Sequence, residues 1–138
     1  MKNVIRLSLV LLTVAAMGLV SCATGALEDV EWVLESYGET GKLKSVMGDK
    51  EITAEFKSED GQASGSAGCN QYFGGYELSG SKLSIPGPLG STMMACPEDI
   101  MEQERVYLQA LQAAESYEID GDELRINCGE EVLVFKRK

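Results

Sequence analysis

The sequence of 138 residues contains no histidine. Hydrolytic triads and many zinc sites depend on an imidazole, which acts as the general base or as a metal ligand. The sequence therefore excludes a Ser-His-Asp or Cys-His centre and the zinc sites that need imidazole. Ser66, within Ser64-Gly65-Ser66-Ala67-Gly68, lacks the first glycine of G-x-S-x-G and would have no histidine base.

Basic residues are also scarce, 12 against 22 acidic ones, so the formal net charge is −10 at pH 7. An acidic surface repels nucleic acid and anionic lipid headgroups. The chain lacks the phosphate-binding motif G-x-x-x-x-G-K-[ST], and its four cysteines include no C-x-x-C pair of the kind found in metal sites. We therefore expect no nucleic-acid partner, no metal and no cofactor.

The first 21 residues have the composition of an export signal. Lys2 and Arg6 precede a mostly apolar run over residues 7–20, and Leu19-Val20-Ser21-Cys22 ends it. This ending resembles a bacterial lipobox, in which the cysteine receives lipid and becomes the new N-terminus. We therefore expect residues 1–21 to be a lipoprotein signal peptide and Cys22 to be the lipidation site. An ordinary secretory signal cleaved near the same cysteine is the alternative.

Cleavage before Cys22 would leave 117 residues, enough for one domain with one core. Loss of the two leader cations would leave ten basic residues against 22 acidic ones, a net charge of −12. The membrane would then be reached through the N-terminal lipid and not through charge. We expect residues 22–30 to be a lipid-anchored tether, residues 31–138 to be the domain, and the protein to face an extracytoplasmic compartment of the cell envelope.

Apolar residues that alternate with polar ones predict β-strands in the first half of the domain. The alternating residues are Trp32, Leu34, Ile52, Ala54 and Phe56. Consecutive apolar residues over 132–135 predict a final strand that is covered on both sides.

Two hairpins are predicted from an internal regularity, because residues 76–85 and 117–126 share the pattern Y-E-[LI]-x-G-x-x-L-x-I. Two-residue turns at Ser79-Gly80 and Asp120-Gly121 would put the apolar residues of each hairpin on one face. The cross-strand pairs expected from these turns are Tyr76 with Leu83 and Tyr117 with Leu124.

One helix is predicted, with Pro97 at its first position and acidic residues in its first turn. Apolar residues recur after it at helical spacing. They are Ile100, Tyr107, Leu108, Leu111 and Ala114. Glu104 falls near the centre of this apolar stripe. We interpret it as a core group that accepts hydrogen bonds from hydroxyls or backbone amides of the Ser91-Thr92 loop, or from a tyrosine; a catalytic acid is the alternative.

Hairpins, then one helix, then more hairpins indicate an α+β domain. We expect a curved antiparallel sheet of about six to eight strands packed against the one main helix. The carboxylates near the helix start are interpreted as a solvated first turn, since no pair placed for glycoside hydrolysis stands out.

Three cysteines remain in addition to Cys22. An exported domain would allow Cys69 and Cys96 to oxidise to each other. This bridge would close a loop of about 28 residues and would stabilise the domain by roughly 3–4 kcal/mol. Pairing of Cys128 with either of them, or free thiols throughout, are the alternatives. Outside such a pair, Cys128 is interpreted as a turn or strand-end residue without reactivity.

Two segments carry a recognisable pattern. Gly65–Tyr76 contains G-C-N, and Ser91–Pro97 contains T-x-M-A-C. Together they resemble the META domain family, whose bacterial members include HslJ-like heat-shock lipoproteins, and the match runs from about Trp32 to Phe135. The resemblance implies a small exported or membrane-attached α+β domain with a cracked-barrel-like sheet. It also implies an association with heat shock and antibiotic tolerance, and no established enzymatic activity.

The segment Gly65–Tyr76 gathers a cysteine, an asparagine and three aromatic rings among glycines. We interpret it as a structural corner that Cys69 ties to the helix start, and additionally as a candidate binding surface. The residues of that candidate surface are Asn70, Tyr72, Phe73, Tyr76, Glu104 and Tyr107.

These observations predict a non-enzymatic, lipid-anchored envelope protein that supports envelope integrity or stress and antibiotic tolerance through contacts with another envelope protein. Two alternatives remain open from the sequence. One is a binder of a small apolar ligand between sheet and helix, near Tyr107 and Leu111. The other is a redox protein that cycles Cys69 and Cys96 between thiols and disulfide.

Overall fold

The computed structural model describes residues 26–138, and the predicted signal peptide and Cys22 lie outside this range. The described chain forms one helix and one antiparallel sheet. The strands are β1 (Glu31–Glu39), β2 (Lys44–Ser45), β3 (Thr53–Lys57), β4 (Gln62–Ser66), β5 (Gln71–Gly75), β6 (Glu77–Ser79), β7 (Lys82–Ser84), β8 (Gly90–Ser91), β9 (Ser116–Asp120), β10 (Glu123–Cys128) and β11 (Glu131–Arg137). The helix, α1, spans Glu98–Gln112 between β8 and β9.

The predicted α+β class is confirmed, but the sheet has eleven strands instead of six to eight. Their order is β6-β7-β9-β10-β11-β1-β3-β4-β5-β8, and β2 pairs with β1 outside this path. The excess comes from two-residue and three-residue strands such as β2 and β6. Such short pairings leave no alternation that a sequence pattern could reveal.

The sheet curls around α1 as a half-barrel. The ring of Tyr107, on the helix, lies 5.7 Å from the ring of Tyr72 on β5 and 6.4 Å from that of Phe135 on β11. Four strand-to-strand steps separate β5 from β11, which would be about 19 Å in a flat sheet. Both rings reach one helical side chain because the sheet bends its concave face around it.

The core fills the space between the concave face and the helix. All five alternating residues of the first strands are buried: Trp32, Leu34, Ile52, Ala54 and Phe56. The prediction of a final strand covered on both sides is confirmed, since residues 132–135 of β11 are each at most 5% exposed. β11 is central in the sheet, between β10 and β1.

The two predicted hairpins form, but the expected register is wrong by one turn position. The observed pairs are Leu78 with Leu83 and Ile119 with Leu124. Gly80 and Gly121 open the turns with φ of +60°, which suits the first central position of a type II′ turn. The shift moves each partner by two residues, so the apolar side chains keep their common face.

Helix α1 begins one residue later than predicted. Pro97 is its N-cap residue, and a ψ of 147° places it outside the helical conformation. Its buried side chains are those of Gln103, Glu104, Tyr107, Ala110 and Leu111. The central position of Glu104 in the buried stripe is therefore confirmed. Among residues 26–138, no helix is both long and apolar enough to cross a membrane.

The chain enters the domain through a segment that we call the latch, Leu27–Asp29. Leu27 is 3% exposed, and its carbonyl accepts a hydrogen bond from Trp32 Nε1 at 2.9 Å. Asp29 accepts from the backbone N–H and the hydroxyl of Ser58, while Glu28 accepts from the Tyr76 hydroxyl at 2.5 Å. The end of the predicted tether over residues 22–30 is therefore packed on the domain, because Leu27 buries its side chain in the core.

Gly65 in β4 has less room for a side chain than any other described glycine. A Cβ atom built there would lie 2.1 Å from the carbonyl oxygen and 2.7 Å from the carbonyl carbon of Thr53, both of which are backbone atoms of the neighbouring strand. A side chain at this position therefore requires the two strands to separate.

We predict that Gly65→Ala lowers the free energy of unfolding by about 1–3 kcal/mol, the usual cost of forcing extra volume into a packed site. Urea denaturation followed by tryptophan fluorescence would measure it. Gly87→Ala is the matched control, because a Cβ atom at Gly87 meets nothing within 4 Å. Equal stability of the two variants would contradict the prediction.

Candidate functional site

The carboxylate of Glu104 organises the corner that joins β4, β5 and the helix. Its Oε2 accepts hydrogen bonds from the backbone N–H of Cys69 at 3.1 Å and of Asn70 at 2.7 Å. Its Oε1 accepts from Asn70 Nδ2 at 2.7 Å. Glu104 is 6% exposed, and none of the salt bridges of the described residues involves it. Neutral amides alone satisfy this buried carboxylate, as expected for a structural group.

Asn70 connects Glu104 to the loop that precedes the helix. Its Oδ1 accepts from the backbone N–H of Met94 at 2.6 Å and from the hydroxyl of Thr92 at 3.0 Å. Thr92 Oγ1 in turn accepts from the backbone N–H of Gln71 at 3.1 Å. The side chain of Asn70 thus links the helix carboxylate to the backbone of the loop over residues 91–97.

A disulfide closes the same corner, since Cys69 and Cys96 are bonded and their Cα atoms lie 6.1 Å apart. Of the pairings that the sequence left open, this is the one present. Two adjacent residues, Cys69 and Asn70, therefore hold the loop, one covalently and one through hydrogen bonds. We call residues 68–70 and 93–96 together the stapled corner.

Gln103 is a constraint that sequence analysis missed. Its Oε1 accepts from the backbone N–H of Met47 at 2.7 Å, and its Nε2 donates to the carbonyl of Met47 at 2.9 Å. The pair ties the loop over residues 46–52, between β2 and β3, to the helix beside the stapled corner. A signal was present: Gln103 follows Ile100 by three residues and precedes Tyr107 by four, so it lies on the predicted apolar stripe.

The buried tyrosines fill the interior where the sequence allowed for an apolar ligand. The hydroxyls of Tyr72 and Tyr107 lie 2.8 Å apart, and Tyr72 donates to the carbonyl of Thr53 at 2.9 Å. Burial raises the pKa of both phenols above its ordinary value. Tyr107 and Leu111 are fully buried. Protein side chains thus occupy the space between sheet and helix at this point.

The predicted binding surface does not form as expected. Asn70, Tyr72, Tyr76, Glu104 and Tyr107 are each at most 8% exposed. Only Phe73 of the six predicted residues is exposed, at 57%. Five of the six belong to the core because the sheet curls over them, so they mainly position a surface, and Glu104 also lines one edge of a groove along the helix.

The exposed apolar side chains lie instead on the loops and the helix that the corner positions. Met93 is 97% exposed and Met94 is 55% exposed, although the backbone of Met94 is held by Asn70. Met101, on the first turns of α1, is 38% exposed. Methionine is flexible and polarizable, and it is common on surfaces that adapt to a binding partner.

The thiol and disulfide groups have limited access to solvent. Cys69 is 4% exposed and is bonded to Cys96, which is partly exposed, while Cys128 is a buried free thiol at the end of β10. Burial, with smaller contributions from Glu131 and Glu115, raises the pKa of Cys128 to about 12. Residues 26–138 include no group of three or more acidic or cysteine side chains that could hold a metal ion.

The structure defines a small α+β domain in which a half-barrel sheet encloses one helix and a disulfide-stapled corner holds an exposed methionine loop. A family model for the META domain matches residues 25–138, so the chain belongs to the META domain family. Among proteins with curated descriptions, none matches the chain at a significant level.

The solved structures that are similar to the chain include two NMR structures. An NMR structure of a protein from Burkholderia xenovorans has a TM-score of 0.69 and 30% sequence identity, and the match covers 81% of this chain and 83% of that one. A second NMR structure has a TM-score of 0.63 and 25% identity, with 80% of this chain and 90% of that one covered. The half-barrel with one helix is thus shared with solved relatives.

We predict that Glu104→Ala lowers the free energy of unfolding by about 3 kcal/mol, because three N–H donors lose their acceptor. Glu104→Gln should fall between this variant and the wild type, since the amide keeps one acceptor oxygen. Urea denaturation with the disulfide intact would measure both. Glu102→Gln, at an exposed helix position, should leave stability nearly unchanged. A mild effect of Glu104→Ala, similar to that of Glu102→Gln, would contradict the structural role.

Cys128 provides a prediction that depends on pH. Its pKa of about 12 in the folded protein compares with about 8.5 for an unperturbed thiol. Stability from the neutral buried thiol is therefore complete below about pH 8.5 and is lost as the pH rises from there towards about 12. At pH 8, iodoacetamide should alkylate folded Cys128 about a thousandfold more slowly than the urea-unfolded chain. Native and unfolded rates within tenfold of each other would contradict this, and Cys128→Ser reports any labelling elsewhere.

Proposed function

We propose that this META domain protein is a lipid-anchored protein of the cell envelope that acts by binding another envelope protein, without a reaction of its own. The observation that carries the proposal is the loop over residues 91–97. Its apolar side chains, Met93 and Met94, point into solvent while its backbone is fixed by a disulfide and by a buried carboxylate network. Fixing a loop in advance reduces the entropy that a partner must overcome on binding.

The latch and the stapled corner lie at opposite ends of β3, which supports a partner-binding surface that faces away from the membrane. The latch binds Ser58, just beyond one end of β3, and the stapled corner lies at the other end, where Gly68 approaches Ile52. Ile52 and Ser58 flank the five residues of β3, so six residue steps of about 3.3 Å place them about 20 Å apart. Five residues connect Cys22 to Leu27, so a lipid on Cys22 would hold the latch within about 17 Å of the membrane. The exposed methionines would then face away from the bilayer.

We further propose that this contact supports envelope integrity under stress, including tolerance of antibiotics. The family membership and the lipobox of residues 19–22 support a role at the envelope. The alternatives are less well supported. The interior position for an apolar ligand is occupied by Tyr72 and Tyr107, and a redox cycle would need two accessible thiols, whereas Cys69 is buried and Cys96 is only partly exposed.

The proposal is tested by photo-crosslinking in intact cells, with a photoreactive amino acid in place of Met93 and radiolabelled fatty acid in the medium. We expect lipid incorporation and one reproducible crosslinked envelope protein. Cys22→Ala should lose the lipid and most of the crosslink. A photoreactive residue at Ser81, on the β6–β7 turn, is the control position. Lipid incorporation that is unchanged in Cys22→Ala would reject the anchor, and identical crosslinks from positions 93 and 81 would reject a specific contact.

A further inference from the structure

The outward side of helix α1 carries an open groove of about 500 Å³. Its lining residues are Glu98, Met101, Glu102, Glu104, Arg105 and Leu108. Glu98, Met101, Arg105 and Leu108 are three or four positions apart, so they form a second stripe along the helix, beside the stripe that packs in the core. The stripe from Glu98 to Leu108 is about 15 Å long.

The floor of the groove is apolar. Met101 is 38% exposed and Leu108 is half-buried. The alkyl stem of Arg105 lies between them along the helix, and such stems cover apolar surface while the charged head stays in water. The exposed parts of Met101 and Leu108 leave an apolar strip that is open to solvent, although Leu108 also packs against the core.

The stapled corner extends the groove at its inner side. Glu104, which lines the groove, accepts a hydrogen bond from Asn70, and Asn70 holds the backbone of Met94. The backbone of Met94 is therefore held near the Glu104 side of the groove, and the fixed loop carries the exposed side chains of Met93 and Met94. Met47, by contrast, lies on the opposite side of the helix, where it is held by Gln103.

The negative charge at the rim of the groove favours a positively charged partner. Glu98 and Asp99 stand at the helix start, and Glu102 follows one turn later. The one cation of the groove, Arg105, is satisfied within the molecule, by Glu102 at 2.8 Å from its Nε and by Gln109 at 2.9 Å. The whole chain has a net charge of −10. A basic partner gains from this field, whereas an acidic segment or a second copy of this chain is repelled.

We infer that this groove binds a short amphipathic segment of a partner protein, with apolar anchors for Met101, Leu108 and the methionine loop and with lysine or arginine residues that face the acidic rim. A helix of about ten residues matches the 15 Å length, as in other helix-in-groove complexes. The inference rests on the proposed function, because it names the partner's chemistry at the surface that faces away from the lipid anchor. A membrane is disfavoured as the occupant, since the latch lies at one end of β3, whereas the stapled corner, which is bonded to Glu104 of the groove, lies at the other end.

The test uses the full chain in discs of zwitterionic lipid, with ¹³C-labelled methionine methyl groups. The chain has six methionines, of which Met93, Met94 and Met101 report on the groove and Met47 reports on the opposite side. The probe is a synthetic amphipathic peptide of about 14 leucine and lysine residues, long enough for a marginally stable helix. A peptide of the same pattern with glutamate in place of lysine is the control.

We expect the leucine–lysine peptide to shift the methyl signals of Met94 and Met101 and to leave that of Met47 in place. Glu98→Lys should weaken binding by roughly tenfold, since it replaces a favourable charge contact by a repulsive one. Glu77→Lys changes the net charge equally but lies on edge strand β6, so it should have little effect. Met101→Ser should weaken binding more than Met47→Ser, because only Met101 lines the groove.

Several outcomes would overturn the inference. They are equal binding of the glutamate peptide, a loss of affinity that is the same for Glu98→Lys and Glu77→Lys, shifts centred on Met47, and no shifts at all. Contact of the Met93 or Met101 methyl groups with lipid in the empty disc would identify a membrane as the occupant and would overturn it as well. A specific crosslink from position 93 in cells, combined with no peptide binding, would reject the groove chemistry and leave the proposed function standing. Absence of lipid on Cys22, combined with specific peptide binding, would reject the lipid-anchored function and leave the groove chemistry standing.

Discussion

A carboxylate buried without a cation constrains the rest of this structure. Glu104 needs hydrogen-bond donors because it is almost completely removed from water, and it obtains them from the backbone at Cys69 and Asn70 and from the Asn70 side chain. These donors are available only if the chain turns sharply between β4 and β5. The helix therefore fixes the shape of a corner that is more than 30 residues away in the sequence.

The sequence predicts those parts of the fold that depend on local alternation. Trp32 and Leu34 have a period of two, and the apolar run before Lys136 is continuous, so the first and last strands are recognisable. The hairpin register was not predicted, because Gly80 can stand at either central turn position and only its backbone angle decides. The shortest strands were missed because pairs such as Phe73 with Gly90 depend on the curl of the sheet and on no pattern within the segment.

The candidate site was predicted in composition but not in exposure. Asn70 and Glu104 were assigned to one surface, and they do bond to each other, yet the sheet curls over them and buries both. A sequence lists which side chains can meet, whereas burial depends on the closure of the whole sheet. Gln103 was missed for a related reason. A polar side chain in an apolar stripe can be buried only if it finds hydrogen-bond partners, and here the partners are the backbone groups of Met47, which is distant in the sequence.

The burial of this network explains how the corner can serve recognition without forming the contact itself. If Asn70 and Glu104 were exposed, water would compete for their hydrogen bonds and the methionine loop would sample many conformations. Burial makes the hydrogen bonds persistent, and the disulfide between Cys69 and Cys96 further restricts the motion of the methionine loop. The polar groups thus supply rigidity while flexible methionine side chains supply adaptability. A surface built in this way can adjust its side chains to a partner while its backbone stays in place, which keeps the entropic cost of binding small.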